Sequence, residues 1–215
     1  IIGLVDMIDS AGSEAKNRKV IGIIRESANS LLNIVNDILD FSQIEAGKLE
    51  IQQSPWFLSE LVRDVVQMMQ PKAQQKGVAL NSEFAIADNC RVWVDSVKLE
   101  QVLINLIDNA IKFTDEEGSV GFWVSKKAES DIEMTLRFIV QDSGIGIEQD
   151  QMDKVFDPFY QIDQSYKKRF QGTGLGLSIS KNLVEIMGGS LQVISQLGQG
   201  SRFFFDLTMK KADNS

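Results

Sequence analysis

The sequence predicts a two-layer α/β sandwich preceded by a helical hairpin. Up to residue 46, apolar residues recur with the alternating steps of four and three that are typical of a long bundle helix. From Gly47 onward, segments that alternate apolar and polar residues are interleaved with amphipathic helices. Alternation means that one face of each strand is buried, so we expect a mixed sheet with helices on one side.

Composition narrows the classes of function. With 43% hydrophobic and 24% charged residues, the chain is typical of soluble globular proteins. The net charge of −8 argues against a nucleic-acid surface, and no apolar run approaches the roughly 18 residues of a membrane helix. The chain has no histidine, which excludes imidazole catalysis and imidazole metal ligands. Cys90 is its single cysteine, so no intrachain disulfide is possible, and we expect a small half-buried side chain there.

The N-terminal region reads as two helices of unequal length. A short apolar stripe comes first and Ser10–Ser13 form a turn; the stripe consists of Ile1, Leu4, Val5 and Ile8. The long helix over 15–46 carries the seam Val20, Ile24, Ser27, Leu31, Ile34, Ile38 and Phe41. Such a pair cannot close a bundle alone, so a dimer partner or further upstream residues are expected. A helix packed on its own domain is the alternative.

The remaining elements follow in order. Pro55 is predicted to open a helix with Leu58, Leu61, Val62, Val65, Val66 and Met69 on one face. Strands are predicted around residues 78–86, 92–94, 120–124, 132–140, 191–193 and 203–207, with helices at about 96–113 and 174–188. The polar, basic stretch 157–173 has no period and is predicted to be a long functional loop.

The helix 96–113 carries the first candidate site. Gln101, Asn105, Asp108, Asn109 and Lys112 share a narrow arc away from the apolar face. Asparagine is a poor residue inside a helix, so this arc suggests a surface turned toward a ligand. An amide oxygen suits Mg²⁺, and a lysine suits a phosphate. The alternative is a solvated helix face.

Two glycine-rich segments form the other candidates. Asp142-Ser-Gly-Ile-Gly-Ile147 directly follows a strand, so backbone can approach a ligand there, and a buried aspartate would favour the amine of adenine over the carbonyl of guanine. Gly172-Thr-Gly-Leu-Gly-Leu177 begins a helix, where free N–H groups suit a phosphate. A surface turn and a helix cap are the respective alternatives. Phe156-Asp-Pro-Phe159 is either a hinge before the long loop or plain core packing.

The order of these segments is similar to that of a known family. N-L-I-D-N-A-I-K-F-T (105–114), D-S-G-I-G-I, F-D-P-F and G-T-G-L-G-L resemble the N, first-glycine, F and second-glycine boxes of histidine kinases, which have the GHKL or Bergerat ATP-binding fold. The stretch D-I-L-D-F-S-Q-I-E-A-G-K-L-E (37–50) resembles the end of their second dimerization helix, particularly in hybrid sensor kinases.

The resemblance implies a role for each matching residue. Asn109 would coordinate Mg²⁺, Asn105 would support the phosphate region and Lys112 would touch phosphate. Asp142 would bind the adenine amine of ATP, in a pocket shaped by Gly144 and Gly146. Ser201, in G-Q-G-S (198–201), would help to hold Asp142 and its water. The backbone that contacts the phosphates would come from Thr173, Gly174, Leu175 and Gly176. The long loop 157–173 would be a lid over the nucleotide, and its cation at the γ-phosphate would be Lys167, Lys168 or Arg169. The alternative is that these three residues are a solvated charge run.

The resemblance also implies a domain plan and partners. Residues 1–50 would be partial dimerization helices, 51–210 the catalytic domain and 211–215 a polar tail. The chain would form a homodimer through the helical region and meet a response-regulator receiver domain, with no nucleic-acid or membrane contact. It would lie in the cytoplasm, in a parent protein that an upstream segment can anchor in the inner membrane.

Three departures from the family pattern stand out. Gln171 replaces a common glycine, and the lid order Lys-Lys-Arg (167–169) differs from an arginine followed by a lysine. The phospho-acceptor box, a His-Glu/Asp-x-x-Thr-Pro segment expected just before Ile1-Ile2-Gly3-Leu4, is absent. We therefore expect a fragment that begins downstream of this histidine, and a chain that binds ATP but cannot phosphorylate itself.

Three functions are compatible with these motifs. The first is a kinase that transfers the γ-phosphoryl of ATP to a histidine for relay to a response-regulator aspartate. The second is a nucleotide-binding regulatory or dimerization module without transfer. The third is another GHKL ATPase, such as a gyrase, chaperone or mismatch-repair relative, which the preceding heptad helix and the absence of a following transducer domain disfavour.

Overall fold

The computed structural model describes residues 14–161 and 173–213. The chain divides into two compact units, Ile1–Leu49 and Glu50–Ser215. The predicted short helix of Ile1 to Ile8 and its turn lie outside the described residues.

The first unit contains one long helix, α1 (Glu14–Glu45), close to the predicted bounds. Leu31, Ile34 and Ile38 of the predicted seam are exposed by 40% or more in this single chain. The helix ends at Gly47, whose φ of 62° is left-handed and whose N–H bonds to the carbonyl of Ile44. The part of the seam from Leu31 to Ile38 is therefore an exposed apolar stripe, whereas Val20 is buried.

In its described residues, the second unit contains a five-stranded mixed sheet, a two-stranded antiparallel ladder and three α-helices. Its elements in chain order are β1 (Ser54–Phe57), α2 (Leu58–Lys76), β2 (Ala79–Ala85), β3 (Arg91–Val94), α3 (Ser96–Phe113), β4 (Ser119–Glu129), β5 (Glu133–Asp142), α4 (Gly176–Ile186), β6 (Gln192–Ser195) and β7 (Ser201–Lys210). Two short 3₁₀ turns, Gln149–Gln151 and Lys154–Phe156, lie between β5 and α4.

Five of the strands form one sheet in the order β2-β4-β5-β7-β6. Strands β2 and β4 are parallel and the other neighbours are antiparallel. Helices α2 and α3 pack together, α3 packs on α4, and α3 also covers β4 and β5. The predicted two-layer sandwich with a mixed sheet is confirmed.

The core lies between these two layers. Phe138 and Phe205 stack with ring centroids 4.9 Å apart, and Phe122, opposite Val140 on the neighbouring strand, is fully buried. The apolar face of α3 meets this layer, and its members Leu99, Leu103 and Leu106 are all at most 1% exposed. Burial of this kind supplies most of the stabilising free energy of such a domain.

The prediction for Pro55 is wrong. Pro55 lies within β1, opposite Trp93 in a two-stranded antiparallel ladder, and the following helix begins only at Leu58. Proline has no N–H to donate, which suits the edge of a short ladder as well as it suits a helix start. The sequence pattern therefore missed β1, because four residues are too short to show alternation.

The predicted polar tail partly continues the fold. Lys211 forms a bridge with Val92, and the N–H of Ala212 donates to the carbonyl of Arg91 at 2.9 Å. These contacts place 211–213 alongside β3. Within the described residues, no helix combines the length and apolar character needed to span a membrane.

Candidate functional site

Strand β5 delivers a carboxylate to the inner face of the sheet. Burial alternates along the strand, and the buried row Met134, Leu136, Phe138 and Val140 ends with Asp142. An aspartate at the end of an inward row points toward the helical layer rather than toward bulk solvent. Asp142 is only 7% exposed.

Two backbone donors hold one oxygen of this carboxylate. Oδ1 of Asp142 accepts from the N–H of Gly144 at 2.8 Å and from the N–H of Ser201 at 3.2 Å. Within 14–161 and 173–213, no residue donates to Oδ2 of Asp142. The carboxylate is thus fixed through one oxygen and offers the other as an acceptor.

Burial controls the protonation of Asp142. Desolvation raises the pKa of this carboxyl above its ordinary value, and the N–H groups of Gly144 and Ser201 oppose that rise. Both backbone donors bind Oδ1, so a further donor at Oδ2 would stabilise the buried carboxylate, because a buried charge without hydrogen-bond partners is costly in free energy. The site therefore favours a ligand that presents an N–H group to Asp142.

The loop after β5 is in close contact with two other segments. Ile145 donates to the carbonyl of Phe113 at 3.2 Å, and Gly198 donates to the carbonyl of Ile145 at 2.7 Å. Gly146 has a φ of 70°, and a Cβ there would lie 2.0 Å from the carbonyl oxygen of Gln196. Only glycine fits this approach, so the loop and the turn 196–200 form one wall.

Ser201 reaches Asp142 through its backbone. Its N–H donates to the carboxylate, whereas its hydroxyl lies 3.0 Å from the hydroxyl of Ser195. Ser195 also accepts from the N–H of Ile147 at 2.8 Å and donates to the carbonyl of Gly200 at 2.8 Å. The sequence alone does not reveal the role of Ser195, because a serine at a strand end carries no signal of its own.

Helix α3 places the two candidate asparagines next to each other. Nδ2 of Asn109 donates to Oδ1 of Asn105 at 3.3 Å, and Nδ2 of Asn105 donates to the hydroxyl of Ser180 on α4 at 2.8 Å. Gly176 lies so close that a Cβ there would be 2.3 Å from Oδ1 of Asn105. Asn105 therefore joins the two helices, and Ser180 is a further partner that the sequence analysis missed.

The orientation of Asn109 fits a hard cation. Its amide nitrogen is engaged, and no residue in the described part of the chain donates to its Oδ1, so that oxygen can act as a ligand. Across the described ranges, no group of three His, Cys, Asp or Glu side chains could hold a metal ion. Asn109 would therefore be a protein ligand suited to a cation such as Mg²⁺, which commonly keeps several waters.

The remaining polar residues of α3 differ in their surroundings. Asp108 forms an ion pair with Lys72 on α2, so its carboxylate is engaged by the neighbouring helix. Lys112 lies over the ring of Phe113, with Nζ 5.1 Å from the centroid. Burial lowers the pKa of Lys112, Asp108 raises it and Lys72 lowers it further. A half-buried lysine of this kind gains from an anionic ligand.

The second glycine-rich segment packs against the Phe156-Asp-Pro-Phe159 segment. Phe159 has a φ of 63°, and its N–H donates to the carbonyl of Gly174 at 3.0 Å. The N–H of Leu175 donates to the hydroxyl of Thr173 at 3.1 Å, and its side chain is buried. Lys167, Lys168, Arg169 and the neighbouring Gln171 lie outside the described residues.

Comparison with known families matches both units. Residues 94–211 match the family described as histidine kinase-, DNA gyrase B-, and HSP90-like ATPase. Residues 1–47 match the His Kinase A (phospho-acceptor) domain.

Among known proteins, the chain is similar to the autoinducer 2 sensor kinase/phosphatase LuxQ of Vibrio parahaemolyticus, with 36% identity over 98% of the chain and 24% of LuxQ. It spans about a quarter of the length of such curated relatives. Among solved structures, full-length ShkA in complex with AMPPNP has a TM-score of 0.75 and 31% identity over 97% of this chain and 42% of that one. Histidine kinase ThkA in complex with the response regulator TrrA has a TM-score of 0.64 and 25% identity over 98% of this chain and 55% of that one.

Proposed function

Because the chain belongs to the family of histidine kinase-, DNA gyrase B-, and HSP90-like ATPases, we propose that it is the ATP-binding kinase core of a two-component sensor histidine kinase. One observation supports this most directly. The buried carboxylate of Asp142 is fixed through Oδ1 and offers Oδ2 to a donor, which is what the amine of adenine supplies.

The reaction is phosphoryl transfer. The bond between the γ-phosphorus and the bridging oxygen of ATP breaks, ADP leaves, and a bond forms between phosphorus and an imidazole nitrogen of the acceptor histidine. That histidine is not in this chain, which has none. A response-regulator aspartate then takes the phosphoryl group. Such reactions depend mainly on positioning and on neutralising charge.

The residues of this chain divide that work. Asp142 orients the adenine, and Gly144 and Gly146 shape the pocket by letting the loop lie against the backbone of Phe113 and Gln196. The backbone of 173–176 lies at the start of α4, where free N–H groups and the helix dipole favour phosphate. Asn109 would hold Mg²⁺, which would supply positive charge to neutralise the phosphates.

Basic side chains would complete the phosphate site. Lys112 supplies a half-buried positive charge at the end of α3. Lys167, Lys168 and Arg169 are proposed to meet the γ-phosphate from the lid, on the strength of the family resemblance alone.

The partners follow from the family. The His Kinase A match over 1–47 and the exposed seam of α1 support a homodimer through the helical region. ThkA, which this chain resembles, assembles with a response regulator, and this supports a receiver domain as the next partner. We propose a cytoplasmic location for this part of the protein.

Transfer in trans tests the proposal. The chain is incubated with γ-labelled ATP, Mg²⁺ and a separately supplied phospho-acceptor domain that carries the histidine. The expected product is acid-labile label on the acceptor, absent when its histidine is replaced by alanine and strongly reduced with Asn109→Ala in this chain. If the chain binds ATP but labels no acceptor, it is instead a nucleotide-binding regulatory module.

A further inference from the structure

The hydroxyl of Ser195 lies where the loop after β5 meets the turn 196–200, the two segments that form the wall beside Asp142. It accepts from the N–H of Ile147 in the loop after β5, at 2.8 Å. It donates to the carbonyl of Gly200 in the turn before β7, at 2.8 Å. It also lies 3.0 Å from the hydroxyl of Ser201.

The directions of these bonds follow from the chemistry of a hydroxyl. A serine hydroxyl has one proton and two acceptor lone pairs. The carbonyl of Gly200 can only accept, so it takes the proton of Ser195. The backbone N–H of Ile147 can only donate, so it takes one lone pair. The contact with Ser201 therefore uses the second lone pair, and the donor in that contact is Ser201.

This arrangement directs the proton of the Ser201 hydroxyl toward Ser195. In the described part of the chain, the Ser201 hydroxyl has no partner besides Ser195, so it retains two lone pairs as acceptors. Gln141 is opposite Arg202 in the ladder, which makes Asp142 and Ser201 the next opposed pair. Opposed residues in a sheet share a face, so both side chains lie on the inner face.

We propose that Ser195 is a specificity-determining positioning residue of the nucleotide site. By holding the Ser201 proton, it makes the pocket present acceptors only, from Oδ2 of Asp142 and Oγ of Ser201. A purine whose six-position carries an amine satisfies such a pocket, directly or through a water that the acceptors orient. A purine with a carbonyl at the six-position places an acceptor oxygen against these acceptors, and the repulsion lowers its affinity. The inference rests on the proposed ATP site.

Loss of the Ser195 hydroxyl removes this constraint. In Ser195→Ala, the Ser201 hydroxyl loses its acceptor and is free to rotate and donate into the pocket. A carbonyl at the six-position then gains a hydrogen bond in place of a repulsive contact. The variant also loses the hydrogen bonds to Ile147 and Gly200, which weakens the binding of every nucleotide equally. The ratio of the affinities for amine-bearing and carbonyl-bearing purines therefore reports only the change at the Ser201 hydroxyl.

The experiment measures the dissociation constants of ATP and inosine triphosphate by displacement of a fluorescent ADP analogue. In Ser195→Ala, the preference for ATP is expected to fall about tenfold, the equivalent of one neutral hydrogen bond. Ser195→Thr keeps a hydroxyl and is expected to restore the preference. Ser59→Ala is the matched control, because the hydroxyl of Ser59, on α2, also donates to a backbone carbonyl, that of Asp88, at 2.9 Å.

A second background separates positioning from general loosening. In Ser201→Ala there is no proton to hold, so adding Ser195→Ala is expected to leave the preference unchanged. An equal loss of preference in that background, or no loss in Ser195→Ala itself, would overturn the inference. Thermal unfolding of each variant confirms that it is folded. A wild-type chain that binds neither nucleotide would instead contradict the proposed function.

Discussion

Gly146→Ala tests the wall of the site without replacing any polar side chain. Gly146 has a φ of 70°, and a Cβ there would lie 2.0 Å from the carbonyl oxygen of Gln196. Ordinary contact needs roughly 3.5 Å, so the turn 196–200 must move by about 1.5 Å. That turn carries the N–H of Gly198, which donates to Ile145, and continues into Ser201, which donates to Asp142.

The cost of this change has two parts. A side chain in the left-handed region costs about 1–2 kcal/mol. Displacing the turn weakens the bonds from Gly198 to Ile145 and from Ile147 to Ser195, each worth about 1 kcal/mol. We expect a total loss of about 3 kcal/mol in the free energy of unfolding, and a rise of at least about tenfold in the Kd for ATP.

Gly188→Ala is the matched control. Gly188 has a φ of 89°, yet a Cβ there meets no atom within 4 Å, and it lies just after α4. Gly188→Ala is expected to lose only the roughly 1–2 kcal/mol of unfolding free energy that the backbone strain costs, and to bind nucleotide with unchanged affinity. Urea unfolding gives the stabilities and calorimetric titration gives the affinities. Equal destabilisation of the two variants, or intact ATP binding in Gly146→Ala, would refute the reasoning.

Two further predictions concern the polar groups. Asn105→Ala removes the acceptor that orients Asn109. The gain in ATP affinity on adding Mg²⁺ should therefore shrink several-fold, while the affinity without Mg²⁺ changes less. Calorimetry with and without Mg²⁺ measures both affinities, and an equal change in the two would count against this prediction. Burial raises the pKa of Asp142, so the folded chain binds that proton more tightly and loses stability as the pH rises from the ordinary aspartate range, about 3.9, through the raised value. Asp142→Asn removes this penalty, and without nucleotide it should therefore unfold at a higher urea concentration than wild type at pH 7, with the difference closing in acid; identical pH profiles would disprove it.

The fold could be predicted from the sequence wherever a period is long enough to read. The alternation from Met134 to Val140 and the apolar face of α3 predicted the bounds of β5 and α3 to within two residues. Strand β1 escaped because it spans four residues, and Pro55 suits either a helix start or a ladder edge. Short elements are decided by their tertiary partner, here β3, and a single sequence does not show that partner.

The candidate site was predicted in part. The motifs identified Asp142, Asn105 and Asn109, whose residue types are unusual for their positions. They did not identify Ser195 and Ser180, which act through hydrogen bonds between segments distant in sequence. Serine is common at strand ends and in helices, so its role appears only when the fold brings its partners together.

The most direct measurement is a calorimetric titration of ATP with Mg²⁺ into the wild-type chain and into Asp142→Asn, with GTP as a control. The carboxylate of Asp142 accepts two backbone N–H groups through Oδ1, and asparagine can keep both while replacing the free acceptor with a donor. We predict ATP binding to wild type, none to the variant and none of GTP to wild type. Equal ATP binding by both folded proteins, or equal binding of GTP, would contradict the assignment of the adenine site.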